Sequence, residues 1–115
     1  MTKKRNHQQA IMHIQKGEEI AGVWVTPQIP ETGFYKFMAK KKRDGTYEWA
    51  HFIQRDNGEK DRILRGSTKN EEELKLVLEI ATQNLRKTFG VHIALIPAET
   101  DVYTLDGKST SSIVQ

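Results

Sequence analysis

The chain has 115 residues and no cysteine, which fits one domain and excludes a disulfide scaffold, a thiol nucleophile and every cysteine-ligated metal site. Hydrophobic residues make up 37% and charged residues 29%, the balance of an ordinary globular domain with a single core. The formal net charge of +3 is uneven: residues 34–66 carry nine basic and five acidic groups, while residues 17–33 carry three glutamates and nothing basic.

No apolar run approaches the ~20 residues of a membrane span, and residues 1–5 lead into polar sequence without a signal-peptide apolar region. The expectations are therefore no membrane and a cytoplasmic location. One domain over residues 1–115 is expected, with residues 1–9 a flexible basic arm. Ala10, Ile11 and Ile14 sit at helical spacing, which predicts a short helix around 6–16. Residues 20–26 are rich in β-formers and end at Pro27, so they read as a strand followed by a loop to Gly33.

Residues 34–43 and 46–55 read as strands joined at Asp44-Gly45, and residues 59–65 as a third strand after Asn57-Gly58. Both dipeptides suit two-residue hairpin turns, which makes the unit an antiparallel meander. A helix follows over 71–89. Asn70 is a fitting N-cap, Glu73 stands in capping-box position, and Leu74, Val77, Leu78, Ala81, Leu85 and Phe89 form an apolar stripe that ends at Gly90. Residues 91–96 are an apolar run of the kind covered on both faces, and 102–105 with 108–114 form a weak last hairpin. The expected architecture is two-layer α+β, the meander packed on one long helix with flanking strands.

Two-residue turns set Ala39 opposite Ala50 and Phe37 opposite Phe52. One face then holds Tyr35, Phe37, Ala39, Ala50, Phe52 and Ile63, which the helix covers. The other face holds Lys36, Met38, Lys40 and Lys42 beside Tyr47, Trp49, His51, Ile53 and Arg55, with Lys60, Arg62 and Leu64. Cations beside exposed rings suit a nucleic acid, because cations release counterions from phosphates and rings stack on bases. Lys36, Lys40, Lys42, Arg55, Lys60 and Arg62 are the expected phosphate contacts, and Tyr47 and Trp49 the stacking residues. The alternative is a protein-interaction or assembly module, with a protein partner or a homo-oligomer, that uses the same face as an apolar interface. A covering by the N-terminal segment would also explain the pattern. The strand–strand–strand–helix layout of residues 34–89 is similar to the arm-type DNA-binding domains of tyrosine integrases, in architecture and without a shared motif.

Catalytic chemistry finds little support. His7, His13, His51 and His92 lie far apart and match no metal-ligand spacing. Gly107-Lys108-Ser109-Thr110 resembles the end of a phosphate-binding loop, yet Val102 stands where that motif needs its first glycine. Glu99 and Asp101 sit in a polar stretch where solvated carboxylates are ordinary. A non-enzymatic module without metal or cofactor is the expectation.

Overall fold

The computed structural model describes residues 12–98 and 103–104. Its centre is a five-stranded antiparallel sheet in the order β5-β4-β3-β2-β6, made by β2 (Glu19–Val25), β3 (Phe34–Lys41), β4 (Tyr47–Gln54), β5 (Lys60–Thr68) and β6 (Ile96–Pro97). Helix α1 (Glu71–Phe89) packs on one face, which gives the α+β two-layer fold. A second, two-stranded sheet pairs β1 (His13–Ile14) with β7 (Tyr103–Thr104) in parallel.

The helix forms for the reasons its sequence supplies. Asn70 is extended, and its Oδ1 accepts the Glu73 amide at 2.9 Å. Glu73 returns the favour by accepting the Lys69 amide at 2.8 Å. Three glutamates in the first turn and Arg86 and Lys87 in the last complement the helix dipole. Gly90 ends the helix at φ 122 and ψ 156, an extended glycine-only conformation rather than the left-handed cap that its position suggests.

The meander is present, but its register is one residue away from the sequence reading. Lys42 and Thr46 close the first loop, the Lys42 amide donating to the Thr46 carbonyl at 2.7 Å and Gly45 to Lys42 at 2.9 Å. The loop therefore has three residues, with Gly45 at φ 91, the type I turn plus glycine bulge that Asp-Gly equally allows. Asp44 fixes it by accepting from the amide and the hydroxyl of Thr46. The second loop repeats this chemistry between Arg55 and Glu59, with Gly58 at φ 90. Ala39 consequently faces Trp49, Phe37 faces His51, and Lys36 faces Phe52.

A one-residue slip sends every side chain of β4 to the other face. Tyr47 and Trp49 lie under the helix with Phe37, Ala39, Trp24 and Leu74, Trp49 stacked on Phe37 at 5.5 Å. Ala50 and Phe52 move to the outer face. There they pack with Val23, Met38, Met12 and Ile14, with Ile20 against them. A strap of residues 12–20 thus covers the outer face, so the sheet is core on both sides.

Other elements also differ from expectation. Residues 13–14 are a strand rather than part of a helix, and residues 6–11 lie outside the described residues, as do 1–5. Of the apolar run 91–96 only Ile96 joins the sheet; Ile93 is buried, while Val91 and His92 are exposed. Gly90 turns the chain, the Ile93 amide donating to the Gly90 carbonyl, so pairing with β2 begins only at Ile96 and runs on to the Ala98 amide, which donates to the Val23 carbonyl at 2.8 Å. Tyr103–Thr104 pairs with β1, and residues 108–114 of the expected last hairpin lie outside the described residues. β5 runs on through Gly66, Ser67 and Thr68, past the end at residue 65 that the sequence suggests. Gly66 faces Trp49, and a Cβ there would lie 2.6 Å from the indole.

Both Trp49→Ala and Phe52→Ala should lower the unfolding free energy by ~3–5 kcal/mol, because each ring fills core on its own side of the sheet. Urea titration reads the loss, and a value below about 1 kcal/mol for Trp49→Ala would contradict its place under the helix. Gly66→Ala should cost ~1–3 kcal/mol through the forced shift of the indole.

Candidate functional site

The eight residues expected to bind a polyanion do not form one open surface. β3 places Lys36 and Lys40 on the outer side as expected, but they are only 7% and 6% exposed. Lys40 runs under the strap. Its Nζ donates to the His13 carbonyl and to Glu18 Oε1, both at 2.8 Å, and lies 3.4 Å from Glu48. Glu48 reaches this side through the same slip that removes Trp49, so the outer face carries a carboxylate after all.

Tyr47 is buried and Trp49 half-buried beneath the helix, which removes both expected stacking rings from the outer face. Arg55 is committed to an ion pair with Asp61. Lys42 is half-buried beside the first loop, Lys60 half-buried on β5, and Arg62 exposed at a backbone φ of 52.

Packing of the strap is chemically specific. Residues 15–18 make a tight turn, the Glu18 amide donating to the Gln15 carbonyl, with Gly17 at φ 87. Burial alone would raise the Glu18 pKa; hydrogen bonds from Lys40 and the Gln15 amide, with the charges of Lys40 and Lys42, outweigh it and hold the carboxyl below its ordinary value of 4.5. Across the sheet, His51 sits between Tyr35 and Phe37 with ring centroids at 5.5 and 5.7 Å, and its buried Nε2 has no hydrogen-bond partner among the described residues. Burial pushes its pKa below the ordinary 6.5.

Among the described residues, the β5 edge of the sheet is open. β5 is the terminal strand, paired on one side with β4 alone. Ile63 and Leu64 are exposed, Leu64 by 59%. A bulge lies between the partners of His51 and Ile53, where Arg62 takes its positive φ. Beyond it the register is regular from Leu64 opposite His51 to Thr68 opposite Tyr47. A groove of about 580 Å³ follows this regular stretch, lined by Lys42, Thr46, Glu48, residues 65–69 and Glu73. Of these, Lys42 alone belongs to the expected set. Ser67 and Lys69 escape a reading that ends the strand at residue 65, and Arg65 escapes because two-residue turns put Lys60, Arg62 and Leu64 on the outer face in its place. The signal that would find them is the pairing of a strand glycine with a cross-strand tryptophan.

No protein-family model, curated protein or solved structure matches the chain. Among the described residues no helix is long and apolar enough to cross a membrane, and no group of three or more histidines and carboxylates is placed to hold a metal ion.

Lys40→Ala should cost about 3 kcal/mol, since it strands the Glu18 carboxylate beneath the strap, and adding Glu18→Gln should recover part of that loss. The pH dependence follows in sign. A depressed pKa in the fold means that the unfolded chain binds the extra proton, so stability falls with acid. The decline begins as pH drops through 6.5 from His51, and a second one begins below 4.5 from Glu18. His51→Leu should flatten the first decline and leave the second, as read by thermal unfolding across pH 4–7.

Proposed function

We propose that the chain is a non-enzymatic protein-interaction module that captures an extended segment of a partner along the open edge of β5. The observation that carries this reading is the regular run of residues 64–68 at the end of the sheet, with Leu64 exposed on the helix side and a groove on the outer side. An unpaired strand edge presents alternating N–H and C=O groups, which an added strand satisfies at little cost in order. Side-chain pockets beside such an edge then select the partner.

The interaction class is the one that the sequence suggests as its alternative, but at a different place. The outer face is occupied by the chain's own strap, so among the described residues the edge of β5 is the open part of the sheet. A nucleic-acid reading loses its stacking rings to the helix side and two of its lysines to burial. The groove sets no histidine beside its serine, and this gives hydrolytic chemistry no base of that kind.

Extended peptides selected from a random library should slow amide exchange at residues 64–68 and leave helix α1 unchanged. Leu64→Lys should weaken their binding by about fivefold, or ~1 kcal/mol, through lost apolar contact. Binding of oligonucleotides at low salt with no peptide protection of β5 would overturn the proposal.

A further inference from the structure

We infer that the segment captured at β5 is acidic, with carboxylates at alternate positions. This rests on the proposed use of the β5 edge and adds the chemistry of its occupant. The groove holds three cations, Lys42, Arg65 and Lys69, and two carboxylates, Glu48 and Glu73. The carboxylates are engaged within the fold. Glu48 lies 3.4 Å from the Lys40 ammonium, and Glu73 accepts the Lys69 backbone amide at 2.8 Å.

The three cations make no ion pair among the described residues. Lys42 exerts only a longer-range pull on Glu18 and Asp44. The groove is therefore positive in what it offers a newcomer. Arg65 faces Ala50 and Ser67 faces Glu48 across the ladder, so both belong to the outer side where Lys42 closes the groove. Side chains of an added strand alternate between faces, and every second one meets this cationic side.

The same charges argue against a second copy of the chain. An antiparallel β5–β5 pairing over the regular stretch would bring the Arg65 and Lys69 charges of two copies onto one short ladder, with no acid between Leu64 and Lys69. Like charges across a ladder destabilise it, whereas carboxylates at alternate positions relieve it. A nucleic acid would also meet the cations, but it has no backbone amides to satisfy the strand edge and finds no exposed ring in the groove.

The experiment uses the full chain and three capped pentapeptides in which valine alternates with glutamate, glutamine or lysine. Affinity is read by fluorescence anisotropy and location by amide exchange. The glutamate peptide should bind about tenfold more tightly than the glutamine one, lose that margin at high salt, and slow exchange at residues 64–68. Arg65→Glu, an exposed change, should reverse the order so that the lysine peptide binds best.

Equal affinity for glutamate and glutamine peptides, with residues 64–68 protected by both, would overturn the acidic occupant and leave the edge reading standing. Failure of every peptide to protect those amides would overturn both. A concentration-dependent dimer that protects residues 64–68 without peptide, or displacement of the glutamate peptide by an oligonucleotide, would assign the groove to another occupant and overturn the inference.

Discussion

The length of one hairpin loop decides the identity of both faces of this sheet. Three residues between Lys42 and Thr46 put Trp49 under the helix, where two residues would have put Phe52. The hydrophobic pattern has no power to choose between them, because both sides of β4 are apolar enough to be core: Tyr47, Trp49 and Ile53 on one side, Ala50 and Phe52 on the other. Register is well specified by burial only where one face is wet. Here it is specified by the turn, through the two hydrogen bonds that Thr46 gives to Asp44 and the positive φ that Gly45 supplies. A local preference of about 1 kcal/mol per hydrogen bond thus selects between two globally similar cores.

Burying both faces raises a problem that Lys40 solves. β3 alternates apolar and basic residues, so a covering over Met38 must also cover Lys36 and Lys40. Placing an ammonium out of water without partners would cost several kcal/mol. The strap supplies what Lys40 needs, a carbonyl from His13 and a carboxylate from Glu18, while β4 adds Glu48. The turn at residues 15–18 is shaped to deliver Glu18, and Met12 and Ile14 cover the apolar neighbours. Charge pairing and apolar covering are therefore supplied by one segment.

The elements were legible in the sequence where local chemistry is decisive. Asn70 and Glu73 mark the helix start, and the stripe from Leu74 to Phe89 marks its buried side. The meander was legible from its two glycine turns. Its faces were not, since Asp-Gly and Asn-Gly serve two- and three-residue loops alike and the difference inverts every β4 side chain. The surface built on that register, from Lys36 and Lys40 to Tyr47 and Trp49, dissolved with it. The end of β5 escaped for another reason: Gly66 looks like a breaker until Trp49 is placed over it, a contact that only the pairing reveals.

The edge of β5 is then defended along one half and exposed along the other. Arg62, with its positive φ, and the Arg55–Asp61 pair twist and charge the first half, the usual means of preventing chance strand addition. The second half has regular pairing and an exposed Leu64, and its protection is the positive charge of Arg65 and Lys69 alone. Charge of one sign disfavours pairing between copies of the same chain and favours a strand of the opposite sign. A defence by bulge blocks every partner, but a defence by charge blocks only some. On the proposed reading, that difference turns an edge kept from aggregation into one that discriminates.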